Sequence, residues 1–183
     1  MKGNSLIIIP TYNESENIEL IISKILLLND SNDILVVDDN SPDGTSNIVS
    51  DLKKENIDRV FLIVRDTKLG LGSAYKEGFK WALNKNYSYI FEMDADLSHN
   101  PSEIINLKEL LIKRDFDVAI GSRYLEGVSV VNWPLSRIFL SYFANIYVRI
   151  ITGMPVKDAT SGFIGYTNES LSSLNIDNIK FNG

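Results

Sequence analysis

The chain contains no cysteine and a single histidine, His99. Without thiols there is no disulfide and no thiolate metal site, and one imidazole cannot build a multi-histidine zinc centre. Cations are in the minority: 18 Lys and Arg stand against 24 Asp and Glu, a formal net charge of -6. Non-specific nucleic-acid binding needs a basic field, so that class is set aside. An anionic ligand must instead be met by local cations, a metal or helix N-termini. No uninterrupted apolar stretch is long enough to cross a bilayer, and the first apolar run, residues 6–9, is far too short for a signal peptide. Internal repeats, low-complexity tracts and linkers are also lacking. What remains is a 183-residue chain, 44% hydrophobic and 23% charged, as expected of one soluble domain over residues 1–183 with a sizeable core.

Short apolar runs alternate with helical patterns. Residues 6–9, 34–37, 60–64, 89–93 and 118–120 read as buried strands, and 14–28, 43–54, 73–84 and 101–113 have helical spacing. Alternation of this kind predicts an α/β fold of βαβ units on a mostly parallel sheet. Right-handed crossovers bring the strands' C-terminal ends to one edge, where open α/β sheets bind ligands.

That edge collects the unusual residues. Tyr89-Ile90-Phe91-Glu92-Met93 runs into Asp94-Ala95-Asp96. A strand alternates its faces, so Asp94 and Asp96 point the same way. Two adjacent carboxylates repel unless a cation lies between them, and Mg²⁺ takes a carboxylate or two plus substrate phosphates. The pair therefore suggests metal-assisted handling of a diphosphate; a solvated turn is the plainer alternative. Asp38-Asp39-Asn40-Ser41-Pro42-Asp43-Gly44 makes a turn in which Ser41 or Asp43 can cap the next helix. Its doubled acid exceeds that need and can accept from a ribose or a base. Gly70-Leu71-Gly72 at a helix start is either a phosphate cradle or a tight turn. Arg123 and Arg137 carry the planar donor fork that suits phosphate, unless they serve in surface ion pairs. His99 is a candidate ligand or base, or it begins the next helix with Asn100 and Pro101. Residues 135–152 are crowded with apolar side chains interrupted by Arg137, Asn145 and Arg149. They form either a core helix or one lying on a membrane surface.

Taken in order, Pro10-Thr11-Tyr12-Asn13-Glu14, Val37-Asp38-Asp39-Asn40-Ser41-Pro42-Asp43-Gly44, Gly70-Leu71-Gly72-Ser73-Ala74, Met93-Asp94-Ala95-Asp96-Leu97-Ser98-His99 and Gly121-Ser122-Arg123-Tyr124 resemble the inverting glycosyltransferases of family 2. The acidic motif and the Arg137/Ser141 helix are similar to the dolichol-phosphate (polyprenol-phosphate) mannosyltransferase branch. The likeness runs from Leu6 to the last residue.

The resemblance implies a GT-A, Rossmann-like three-layer fold, a nucleotide-diphosphate sugar donor and Mg²⁺ or Mn²⁺ as cofactor. Pro10, Tyr12, Glu14 and Asp39 match positions that hold the nucleoside. Asp94 would sit near nucleotide and metal, Asp96 would be the principal metal ligand, and Ser98 would assist it. Arg123, Arg137 and Ser141 match residues that grip phosphate on the acceptor side. The implied reaction moves a hexose, with mannose from GDP-mannose as the leading expectation, to a polyprenyl (dolichyl) phosphate. The implied setting is cytoplasmic, peripheral on the cytoplasmic face of a membrane. A UDP-glucose or UDP-N-acetylglucosamine transferase and a catalytically silent nucleotide-sugar-binding module are the alternatives. A nucleotidyltransferase would want a longer glycine-rich loop with a lysine where Pro10-Thr11-Tyr12 stands. Two departures stand out: Ile164 occupies a position after Asp158-Ala159-Thr160-Ser161-Gly162-Phe163 that is commonly basic, and the chain stops where the family usually continues, so a longer natural protein is expected.

Overall fold

A computed structural model describes residues 4–28, 31–113, 116–122, 135–153, 158 and 161–179, and over 135–142 the helical path alone. Among the described residues six strands, β1 (Ser5–Thr11), β2 (Asn32–Asp38), β3 (Val60–Val64), β4 (Tyr89–Glu92), β5 (Val118–Ile120) and β6 (Ile164–Thr167), form one sheet. Its order is β3-β2-β1-β4-β6-β5. The first four strands are parallel, β6 runs against both β4 and β5, and β5 therefore points with the parallel set.

The helices are α1 (Ile18–Leu28), α2 (Thr45–Glu55), α3 (Leu71–Asn84), α4 (Glu103–Lys113), α5 (Leu135–Thr152) and α6 (Asn168–Ser173), followed by a 3-10 turn at Ile176–Asn178. Strand alternation sorts the core into two layers. Ile7, Ile9, Ile34, Val36, Phe91 and Met93 pack with Ile18, Ile22 and Ile25 of α1, Val49 of α2 and Leu107 of α4. Leu6, Ile8, Leu35, Val37 and Ile90 pack on the other side with Ala74, Tyr75 and Ala82 of α3 and with Leu171 and Ile176. Each such large side chain, fully buried, contributes about 1.5–3 kcal/mol. The even-numbered positions of β4 thus face α3, which matters for the acids that follow it.

Five strands and five helices fall where the apolar pattern predicts them, with shifted ends. α1 starts at Ile18 rather than at residue 14, because residues 14–17 are spent on a turn closed by the Ile18 N–H donating to the Glu14 carbonyl (2.9 Å). α2 begins at Thr45 behind Gly44, so the N-cap position is neither Ser41 nor Asp43, yet Asp43 Oδ1 accepts from the Thr45 N–H (3.0 Å) and so satisfies the helix's first donor. β3 and β5 are the sheet's two edges rather than buried strands, and Val64 and Val118 are exposed. β6 is the strand that the apolar pattern does not announce.

Candidate active site

The register of β1, β2 and β3 aligns Thr11, Asp38 and Val64, so Tyr12, Asp39 and Arg65 leave the sheet together. A cleft of about 320 Å³ opens there, lined by Pro10, Thr11, Tyr12, Glu14, Asp39, Lys68, Gly70, Leu71, Ala74, Asp94, Ala95 and Asp96. Pro10, Tyr12, Glu14, Asp39, Asp94 and Asp96, all singled out in the sequence, thus meet in one cavity.

The doubled acid of β2 divides its labour. Asp38 is fully buried and structural: its Oδ1 accepts from the Thr11 (2.7 Å) and Ser41 (2.6 Å) hydroxyls, and its Oδ2 from the Ser41 N–H (2.9 Å). Asp39 faces the cleft, yet its carboxylate is heavily engaged. Oδ2 accepts from the N–H groups of Leu69 (3.1 Å) and Gly70 (2.9 Å), and Oδ1 pairs with the Arg65 guanidinium. Arg65, itself buried, donates onward to the Ser73 hydroxyl (2.6 Å) and the Gly70 carbonyl (3.0 Å). Asp39 therefore organises the loop that opens α3, and two of the N–H groups at that turn are spent on it rather than left for a phosphate. Lys68, on the same loop, lies 3.7 Å from the centre of the Tyr12 ring, a cation–π contact across the cleft mouth.

From the last residue of β4 onward acids stand at every second position, Glu92, Asp94 and Asp96, an acid ladder of which Asp94 and Asp96 line the cleft. Glu92 accepts from the Tyr166 hydroxyl (3.2 Å). Burial pushes its carboxyl up to about 7; the Tyr166 hydrogen bond opposes this and the Asp94 charge adds to it. Asp94 Oδ1 accepts from the Tyr75 hydroxyl (3.2 Å). Burial, then the Asp94 charge, raises the Tyr75 phenol well above its ordinary value, so it stays a proton donor. On its other side Asp94 abuts Gly162: a Cβ there would fall on Asp94 Oδ2 and stand 2.7 Å from its Cγ. Asp96 is exposed and accepts from the Ser98 N–H (3.0 Å). Leu97 between them has φ 58° and packs its side chain on the core. A branched residue in the left-handed region is held against a conformational cost of about 1–2 kcal/mol, which its anchoring offsets.

Ser98 meets Asp96 through its backbone and is not in the cleft wall. His99 is buried against Phe163, ring centres 5.2 Å apart, and is not in the wall either. Arg123 lies outside the described residues, as do the side chains of Arg137 and Ser141 on α5. Ser161 ties the segment before β6 to the residue after β5, its hydroxyl donating to the Gly121 carbonyl (2.5 Å). Tyr75 and Glu92 were not foreseen, nor were the contacts that Lys68 and Gly162 make here. Alternation extended one step back from Asp94 would have found Glu92; the others depend on contacts remote in sequence.

A mostly parallel sheet with this cleft and acid ladder on its carboxyl edge is a GT-A fold. The chain belongs to glycosyl transferase family 2, whose profile matches residues 6–174. It is 43% identical over 179 residues to polyprenol monophosphomannose synthase of Mycolicibacterium smegmatis, spanning 98% of this chain and 67% of that protein. It is 40% identical over 178 residues to undecaprenyl-phosphate mannosyltransferase of Micrococcus luteus, spanning 97% and 72%. Its fold is similar to that of a Pyrobaculum calidifontis mannosyltransferase in complex with GDP-Man and Mn²⁺ (TM-score 0.63, 20% identity, 96% of this chain and 47% of that one). It also resembles glucosyl-3-phosphoglycerate synthase of Mycobacterium tuberculosis with Mn²⁺ and UDP-glucose (TM-score 0.66, 18% identity, 93% and 58%).

Proposed function

We propose that this chain is an inverting glycosyltransferase that moves a hexose, mannose from GDP-mannose in the first instance, onto a polyprenyl phosphate. The observation that carries this is the convergence of Pro10, Tyr12, Glu14 and Asp39 with Asp94 and Asp96 in one cleft. Identities of 40–43% to polyprenol-phosphate mannosyltransferases support the choice of sugar and acceptor.

The donor set suits a hard divalent ion, Mg²⁺ or Mn²⁺. It is all oxygen, and Asp96 is exposed where a substrate phosphate can complete the coordination. Among the described residues no group of three or more His, Cys, Asp or Glu forms an all-protein cage, which fits a cation shared with the donor diphosphate. When bound, such an ion offsets charge on the departing nucleoside diphosphate. Asp96 and Asp94, both in the cleft wall, would hold it, with the Ser98 N–H steadying Asp96. Tyr12 and Lys68, in the cleft wall, would flank the nucleoside, and the family resemblance assigns Arg123, Arg137 and Ser141 to the acceptor phosphate. A phosphate monoester has a second pKa of about 6 and is already nucleophilic at neutral pH, so no general base is required. The lack of any imidazole in the cleft wall is then no obstacle.

A lipid acceptor must present its phosphate while its tail stays in the bilayer. On α5, Phe143, Tyr147, Ile150 and Ile151 are 63%, 66%, 74% and 66% exposed and recur at helical spacing on one side. On the other side Asn145 is buried and donates to Asp158 (3.4 Å). No helix among the described residues is long and apolar enough to cross a membrane. A peripheral placement with the α5 stripe in the headgroup layer fits both facts. Phe143→Ser/Tyr147→Ser is expected to lose most co-sedimentation with anionic lipid vesicles while melting as the parent does. Undiminished vesicle binding would refute the placement.

The donor is tested by thermal shift with GDP-mannose, UDP-glucose and UDP-N-acetylglucosamine, each with and without Mn²⁺. A ligand of the folded state alone stabilises by RT ln(1 + [L]/Kd). GDP-mannose with Mn²⁺ should give the largest rise; a larger rise with a UDP-sugar would reassign the donor.

A further inference from the structure

We infer that Tyr75 is a positioning residue for Asp94, clamping its carboxylate against Gly162 so that it meets the donor's metal in one fixed orientation. The inference rests on the reading of Asp94 and Asp96 as metal-facing, and it concerns a side chain that no motif contains.

Tyr75 is 6% exposed and belongs to the core layer between β4 and α3. Its helix is the one whose first turns, at Leu71 and Ala74, line the cleft. Because even-numbered positions of β4 and its continuation face α3, the phenol reaches the acid ladder from below and donates to Asp94 Oδ1 (3.2 Å). Its direction is set by an aromatic relay. The Tyr75 ring lies against Phe79 with centres 6.2 Å apart and planes at 22°, and Phe79 meets Tyr166 edge-on at 5.5 Å. Tyr166 in turn donates to Glu92, the neighbouring acid. Gly162 closes the far side, where a Cβ would collide with the carboxylate. Asp94 is thus fixed from two sides, whereas the exposed Asp96 is held by a backbone N–H on its own loop. A carboxylate with one oxygen pinned loses little rotational freedom on taking a cation, and outer partners of this kind are worth about 10–100-fold in metal affinity.

The test uses Tyr75→Phe, which keeps the ring and its packing and removes the hydroxyl. Mn²⁺ affinity is read by titrating the free-ion EPR signal, and nucleoside diphosphate affinity is read separately in EDTA. Expected is a rise of about tenfold in the Mn²⁺ Kd, with melting temperature and metal-free GDP or UDP affinity as in the parent. An unchanged Mn²⁺ Kd overturns the inference. So does a parallel loss of metal-free nucleotide binding, since that is what a merely structural role of α3 produces. Asp96→Asn, run alongside, separates the two levels. If it binds Mn²⁺ as the parent does, the metal reading itself fails and takes the role of Tyr75 with it. If it loses Mn²⁺ while Tyr75→Phe does not, the role of Tyr75 alone falls.

Discussion

Replacing Asp96 by Asn should abolish metal-dependent donor binding while leaving the melting temperature within a few degrees of the parent. Asp96 is exposed and spends one oxygen on the Ser98 N–H. The Asn side-chain carbonyl can still accept that bond, and surface substitutions away from buried networks usually stay within about 0.5 kcal/mol. Repulsion from Asp94 is also relieved. What is lost is a formal charge on a hard cation, and ligand charge tunes divalent affinity over orders of magnitude. Calorimetry with GDP-mannose and Mn²⁺ should show a fall of about 100-fold or more, and turnover should fall with it. Full metal-dependent turnover in the variant would remove the basis of the proposed chemistry.

The second large effect is expected at a residue with no functional group. In Gly162→Ala the new methyl falls on Asp94 Oδ2, with Cγ 2.7 Å and Oδ1 2.9 Å away. Asp94 cannot retreat freely, because Tyr75 holds it from α3. The carboxylate must swing or the segment before β6 must back off, and Ser161 pins that segment to Gly121. Displacement of a reacting group by about 1 Å costs on the order of 100-fold in rate. Steady-state assays on a folded Gly162→Ala enzyme should therefore show kcat lower by about that factor. Wild-type kcat would mean that Asp94 tolerates movement and is not a fixed part of the centre.

Much of the fold could be read from short-range pattern, because β1, β2 and β4 bury their apolar runs between helices at regular spacing, and the edge strand β3 keeps the same apolar composition. The ends could not, since they are set by turns that compete with the helix. Residues 14–17 carry helical spacing but close a turn, and Gly44 takes a left-handed φ of 91° before α2 begins. β6 escaped for a physical reason. Gly165 inside a four-residue segment reads as loop, yet the Phe91 ring occupies the space its Cβ would need, so packing demands a glycine in the strand. At the site, the acids and the Pro10-to-Glu14 segment stand at the ends of legible strands and were found. Tyr75 and Gly162 act on Asp94 across sequence gaps that no local spacing records. Asp39 was read as a nucleoside contact, and it does line the cleft, but its pairing with Arg65 and two loop N–H groups belongs to the tertiary structure.

The strand order carries a consequence for how the chain assembles. β4 lies beside β1 and completes a parallel block of four strands by residue 92, whereas its other neighbour, β6, begins at residue 164. A nascent chain thus exposes the hydrogen-bonding edge of β4, next to the future acid site, for the time needed to make some seventy further residues. β5, made in between, pairs only with β6 among the described residues, so it cannot dock before β6 exists. Late, non-local closure is slow, and an open central edge invites pairing with another chain. The strand that seals the sheet also begins two residues after Gly162, the wall behind Asp94. A chain whose β4 edge is still open therefore also lacks the wall behind Asp94.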